Sequence, residues 1–212
     1  MIAPPERSPE RDAAIEALLP NVPFDGWTWR ALRMALVAAG GDPRDAEILF
    51  PGGPGDMIEA FCDLADRRME QGAAWPGTQA MRTPARVRAL IALRLQQNRL
   101  HKEAIRRALA ALALPGRAIM AARCTARTVD AIWHAAGDRS VDLSWYSKRA
   151  ILTGVYTATL LYWLRDASED DAATLEFLDR RLAAVGQITN IRRRIEGWFG
   201  WHEPVGAGNT RV

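Results

Sequence analysis

Apolar positions recur every three or four residues through most of the 212-residue chain, and β-branched runs alternating at every second position are absent. This pattern predicts an all-α protein. A first helix runs over about 9–19 and is stopped by Pro20. A second opens at Gly26-Trp27-Thr28, with Thr28 as its cap, and ends at Gly40-Gly41. Asp42-Pro43 starts a short third helix through Phe50, with proline at its favoured first position. The turn Pro51-Gly52-Gly53-Pro54-Gly55 breaks it, and a fourth helix extends to about Gln71. After a Gly- and Pro-bearing linker over 72–77, Thr83-Pro84 caps an amphipathic stretch over 85–114, with a break near Asn98 and a stop at Pro115-Gly116. Helices follow at about 117–135, 145–166 and 169–185. Ser168 with Glu169, Asp170 and Asp171 starts the last of these and Gly186 stops it. A final helix is expected over 187–200.

These elements divide into a helix-turn-helix-like unit over 11–71, a larger helical bundle over 83–186 and an amphipathic helix over 187–201. Disordered ends are expected at 1–10 and 202–212. In the final helix, Ile188, Ile191, Ile195, Trp198 and Phe199 fall within an arc of about 100°, with Arg192, Arg193 and Arg194 beside or opposite it. A narrow Ile/Trp/Phe face flanked by arginines suits a helix lying in a membrane interface. It also suits a helix packed on its own domain or on a dimer partner.

Composition narrows the picture. Hydrophobic residues at 49% and charged residues at 25% are ordinary for a soluble globular protein. A net charge of +3 selects no partner. Of the 28 basic residues only Lys102 and Lys148 are lysine, and such Arg- and Ala-rich usage fits a GC-rich bacterial genome. Cys62 and Cys124 make no disulfide framework, so a reducing cytoplasm is expected. The first residues lack the apolar core of a signal peptide, and no apolar run approaches the ~20 residues needed to span a bilayer.

Candidate chemistry is sparse. The third helix, Asp42-Pro43-Arg44-Asp45-Ala46-Glu47-Ile48-Leu49-Phe50, would be the DNA-reading helix of a helix-turn-helix head, but it holds three acids against one arginine. Beside a duplex carrying one charge per about 1.7 Å, that balance is repulsive. Arg30 and Arg33 on the second helix keep DNA binding open. The helix from Trp145 puts Trp145, Leu152, Tyr156 and Trp163 on one face with Val155 beside them. It is apolar nearly all round, either as the central core helix of a bundle or, with small Gly154, Ala158 and Thr159, as the wall of an apolar ligand cavity. His134 has no second ligand at the next turn, which argues against a metal site, and His101 and His202 are isolated. No catalytic constellation and no cofactor are expected. Asp138, Ser140, Asp142 and Ser144 fit helix-end caps. Capping is the commoner role for such residues; alternatively, Asp142 with Trp145, Tyr146 and Arg149 forms an exposed interaction patch.

The block Trp133-His134-Ala135-Ala136-Gly137-Asp138, followed by Asp142-Leu143-Ser144-Trp145-Tyr146-Ser147-Lys148-Arg149-Ala150, resembles the signature of the coenzyme Q (ubiquinone) biosynthesis accessory family, Coq-nine. Gly26-Trp27-Thr28, Leu49-Phe50-Pro51 and Phe177-Leu178 extend the resemblance over about 11–201. It implies a TetR-like fold whose cavity is adapted to isoprenoid lipids, with Ile132, Trp133, Leu152, Val155, Tyr156, Thr159 and Trp163 as lipid-binding residues. It further implies that Asp142, Trp145, Tyr146 and Arg149 dock the demethoxyubiquinone hydroxylase. Ile188, Ile191, Arg192, Ile195, Trp198 and Phe199 would then contact the membrane. The resulting expectation is a non-enzymatic, homodimeric bacterial protein on the inner membrane. It would bind an isoprenoid quinone or a phospholipid and no specific nucleic acid. The competing expectation is a ligand-responsive TetR-type repressor.

Overall fold

A computed structural model describes residues 3–74, 77, 80–138 and 143–199, with the backbone alone at 143–145 and 186–199. Its elements are α1 (Pro9–Leu18), α2 (Val22–Asp25), α3 (Trp29–Ala38), α4 (Asp45–Leu49), α5 (Pro54–Ala73), α6 (Thr83–Gln97), α7 (Lys102–Leu112), α8 (Ala118–Ala135), α9 (Leu143–Trp163) and α10 (Ala172–Phe199). Short 3-10 turns at Arg99–His101 and Glu169–Asp171 precede α7 and α10. No strand occurs among the described residues.

Local chemistry explains most helix ends. Ser8 Oγ accepts the Arg11 amide and Thr28 Oγ1 the Ala31 amide, each at 3.1 Å, which caps α1 and α3. Gly40 takes φ 81°, and the Gly41 amide returns to the Leu36 carbonyl at 2.8 Å to close α3. Asn98 ends α6 by donating its side-chain amide to the Arg94 carbonyl at 2.8 Å. Where sequence and structure part, the causes are equally local. Thr83 does not cap α6: it is the first helical residue, and Arg82 occupies the cap position without a side-chain bond. Asp42 Oδ1 accepts the Arg44 amide at 2.8 Å in a tight turn, so α4 starts only at Asp45. The four-residue α2, set by Pro23 in its first turn, lies in a stretch left unassigned by periodicity.

The largest departure is at Gly186. The helix expected to stop there continues without a break to Phe199. A glycine costs a helix interior about 1 kcal/mol, but it ends a helix only when it turns left-handed to cap it. Gly186 is not among the positive-φ glycines.

α5 is the shared spine, packing against α1 on one side and α6 and α8 on the other. Gly72 lets α6 approach closely, since a Cβ there would lie 3.0 Å from Leu93 and 3.1 Å from Gln97. The buried side chains form one continuous cluster from Ile15 and Leu32, through Met57, Ile58 and Phe61, to Leu90, Ile132 and Trp163. α9 and α10 pack as a pair, with Tyr162 and Phe177 stacked at 4.5 Å between centroids.

The entry to α10 depends on Asp166. Its carboxylate accepts the Ser168 amide, the Thr174 amide at 2.8 Å and the Thr174 hydroxyl at 2.5 Å. Partial burial pushes its titration upward, but the Thr174 and Ser168 bonds outweigh this and hold it well below the usual carboxylate range. Asp166→Ala is therefore expected to cost about 1 kcal/mol at neutral pH, the scale of a lost helix cap. Because the folded-state value is depressed, this contribution exists above the unfolded pKa of about 3.9 and fades as pH falls below it. Chemical denaturation of both proteins at pH 7 and pH 3 checks this, and an equal gap at the two pH values counts against it.

Candidate apolar cavity between helices 6, 8, 9 and 10

A cavity of about 380 Å³ opens where α6, α8, α9 and α10 converge. α9 supplies Lys148, Ile151, Leu152 and Val155, spaced at 0, 3, 4 and 7 residues and therefore on one helix face. α6 contributes Thr83, Pro84 and Val87, α8 contributes Trp133, and α10 contributes Leu182 and Val185. Leu152 and Val155 are buried, whereas Thr83, Pro84 and Ile151 are exposed, so the cavity has an aliphatic floor and an open rim.

Of the seven lipid-binding candidates, Trp133, Leu152 and Val155 line this cavity, while Ile132, Tyr156, Thr159 and Trp163 are absent from its lining. All four are buried in the core instead. Thr159 donates its hydroxyl to the Val155 carbonyl at 2.8 Å, and Trp163 lies under the Lys102 ammonium at 4.8 Å. Gly154 sits on the exposed side of α9, away from the cavity. α9 is also less enclosed than its all-round apolar pattern suggests, since Ile151 and Leu161 are exposed.

The core also holds a buried polar network that periodicity does not reveal. Arg94 Nε donates to Asp66 Oδ1 at 2.8 Å, Thr128 Oγ1 donates to Asp66 Oδ2 at 3.0 Å, and the guanidinium lies 5.6 Å from the centre of the Tyr156 ring. Burial pushes Asp66 up, with Arg94 and Thr128 opposing. Burial also pushes the Tyr156 hydroxyl up to about 12. Burial works against the Arg94 charge, but Tyr156, Asp66 and Cys62 outweigh it and hold the guanidinium above its ordinary value. Cys62 and Cys124, distant in sequence, are free thiols close to one another across the α5–α8 contact.

The partner-patch candidates are divided. Asp142 and the Trp145 side chain lie outside the described residues. Tyr146 is 70% exposed on α9. Arg149 is drawn inward to Asp130, with Asp138 at 3.9 Å. The membrane candidates Ile188, Ile191, Arg192, Ile195, Trp198 and Phe199 have helical backbone within α10, but their side chains lie outside the described residues. No helix is long and apolar enough to cross a membrane among the described residues.

A second, charged cavity of about 300 Å³ lies between α5 and α8, lined by residues including Arg7, Asp63, Arg67 and His134. Asp63 is bound there by both Arg7 and Arg67. No His/Cys/Asp/Glu group with metal-site geometry occurs among the described residues. At the would-be DNA-reading edge, Glu47 of α4 pairs with Arg33 of α3, which neutralises a cation that a phosphate contact needs. Met34, Val37 and Ile48 are exposed on the same two helices.

The chain is similar to several known proteins. Residues 118–189, which carry α8, α9 and the first part of α10, match the COQ9 family profile. The mitochondrial ubiquinone biosynthesis protein coq9 of Schizosaccharomyces pombe is 30% identical over 185 residues, spanning 87% of this chain and 73% of that protein. The chain belongs to the COQ9 family. COQ9-A of Xenopus laevis is 33% identical over 183 residues, spanning 80% of this chain. This chain covers 55% of that COQ9 protein and 59% of COQ9 from Xenopus tropicalis, so it spans little more than half of these relatives. The TetR transcriptional regulator of Nitrosomonas europaea matches with a TM-score of 0.70 at 24% identity, over 85% of this chain and 99% of that one. The fold is therefore TetR-like, as the helix pattern and the family resemblance implied.

Proposed function

We propose that this COQ9-family chain is a non-enzymatic accessory protein of ubiquinone biosynthesis that binds an isoprenoid quinone intermediate or phospholipid and presents it from the membrane. The observation that carries the proposal is the cavity of about 380 Å³ with a floor of Leu152 and Val155. Its size falls in the roughly 300–1,000 Å³ range of small-molecule sites, and its wall is aliphatic apart from Thr83, Trp133 and Lys148. Burying a lipid tail there is favourable by about 0.8 kcal/mol per methylene. The continuous α10 would carry the Ile188–Phe199 face toward a lipid surface as one rigid rod with the cavity wall. The Asp142–Arg149 segment at the start of α9 would receive the demethoxyubiquinone hydroxylase, with Tyr146 as its exposed aromatic anchor. The protein would act as a homodimer.

Repression of a target gene is the less favoured reading, because the acidic α4 and the Arg33–Glu47 pair oppose phosphate contact. The test is mass spectrometry of lipids extracted from protein purified from its own cells, together with quinone analysis of a deletion strain. A near-stoichiometric isoprenoid or phospholipid and reduced ubiquinone are expected. Protein free of lipid, with ubiquinone unchanged in the deletion strain, overturns the proposal.

A further inference from the structure

We propose that Cys62 and Cys124 form a redox-sensitive dithiol, a modification site that a hydroperoxide converts to a disulfide joining α5 to α8. The proposal is independent of what occupies the apolar cavity, and it stands on the register of the two helices. Gly55 lets α8 approach α5, since a Cβ there would lie 2.7 Å from the Met120 methyl group. One turn further on, Glu59 Oε1 accepts from Arg127 Nη1 at 2.7 Å and lies 3.6 Å from Arg123 Nη2. Beyond that, Asp66 Oδ2 accepts from Thr128 Oγ1 at 3.0 Å. Residues 55, 59, 62 and 66 recur at intervals of 4, 3 and 4 on one face of α5, and 120, 124 and 128 recur at intervals of 4 on one face of α8. The helices therefore run parallel here, and Cys62 faces Cys124 between fixed contacts on either side. Their thiols lie close together and are both free. Facing residues at close range are what a disulfide requires.

A cysteine in a helical core is ordinarily inert packing. At Cys124 a charge alters that. Arg127 Nη2 donates to Cys124 Sγ at 3.6 Å, and a guanidinium at that place favours the nucleophilic thiolate. The neighbouring Cys62 thiol, and after it the Arg127 guanidinium, lower the Cys124 thiol below its ordinary value against the effect of burial. Arg127 also lines the charged cavity of about 300 Å³, which sets a space wider than a hydroperoxide one side chain away from the sulfur. Cys62 is half-buried and takes the resolving role. With hydrogen peroxide, the Cys124 thiolate attacks one oxygen and the O–O bond breaks. Cys124 becomes a sulfenic acid, and the departing hydroxide takes up the proton that the thiol gave up, leaving as water. The Cys62 sulfur then attacks the sulfenic sulfur. The S–S bond forms, the S–O bond breaks, and the hydroxyl leaves with the Cys62 proton as a second water. Two thiols are oxidised and one peroxide is reduced. The bond closes a loop that contains α6 and α7, and it ties the spine of the N-terminal helices to the helix whose Trp133 lines the apolar cavity.

The test is to treat the reduced full chain with hydrogen peroxide, alkylate the remaining thiols and read intact mass and peptides. Both thiols are expected to disappear together, with the loss of two hydrogens and a linked peptide pair carrying Cys62 and Cys124. Dithiothreitol should restore both thiols. The oxidised chain should melt several degrees higher, because the link removes loop freedom from the unfolded state. Cys62→Ser should halt Cys124 at the sulfenic acid, trapped as a dimedone adduct. Cys124→Ser should slow peroxide oxidation of the remaining thiol several-fold. Thiols that stay alkylatable in the folded chain under peroxide overturn the proposal, and so do disulfides found only between chains. Oxygen gained separately at each sulfur without a link overturns it as well. The mass of the unaltered chain decides the linkage even where a serine variant folds poorly.

Discussion

Arg94→Ala is expected to destabilise the protein by about 3–5 kcal/mol, the cost of removing one partner of a buried ion pair. For a chain of this size that lowers the melting temperature by roughly 10 °C. Arg94 and Asp66 are 6% and 5% exposed, and truncating Arg94 leaves the Asp66 carboxylate buried with only the Thr128 hydroxyl as a donor among its described bonds. The loss should depend on pH. Burial already raises Asp66, and losing the guanidinium raises it further. A group whose folded-state pKa is raised favours the fold at low pH and loses that contribution as pH rises through the folded value. The variant should therefore be least impaired near pH 5 and most impaired near pH 8. Arg94→Met combined with Asp66→Leu should recover most of the stability, since neither charge is left unpaired. Denaturant melts across this pH range check both statements. A pH-independent loss, or a double variant no better than the single one, refutes the account.

Val155→Trp should remove bound lipid while leaving the protein folded. Val155 is in the cavity floor, so the indole enters the open volume of about 380 Å³ instead of a packed core. The stability change should stay at the low end of the roughly 1–3 kcal/mol typical of overpacking. Lipid recovered from purified protein is expected to fall more than tenfold, and a deletion strain carrying this variant should behave as if it carried none. Thr157→Trp, on the exposed side of the same helix, is the control and should retain its lipid. Undiminished lipid in Val155→Trp places the ligand elsewhere, and loss in both variants points to damage of α9 as a whole.

Both experiments turn on residues whose helical setting, but not whose environment, is readable from the chain. The helix starts at Ser8 and Thr28 and the stop at Gly40-Gly41 depend on bonds within a few residues, which local sequence specifies directly. Gly186 misleads because glycine only permits a left-handed stop; whether the stop occurs depends on what the following turn packs against. On α9 the inward face is legible from the spacing of Leu152, Val155, Tyr156, Thr159 and Trp163. Their separation into cavity lining and solid core is not legible, because it depends on how closely α6, α8 and α10 approach at each level. Leu152 and Val155 meet a gap at the α6–α10 crossing, while Trp163 is closed over by Lys102 from α7.

By itself the sequence determined the helical class, most helix boundaries, the acidic character of α4, and the family signature over 133–150. Each of these is a property of neighbouring residues or of a 3.6-residue period. Tertiary structure alone decided that Asp66 meets Arg94 across 28 positions and Thr128 across 62, that Cys62 meets Cys124, and that Lys148 lines a cavity. Those relations arise from the crossings of α5, α6, α8, α9 and α10, and the period that selects an inward face carries no information about which distant side chain that face will meet.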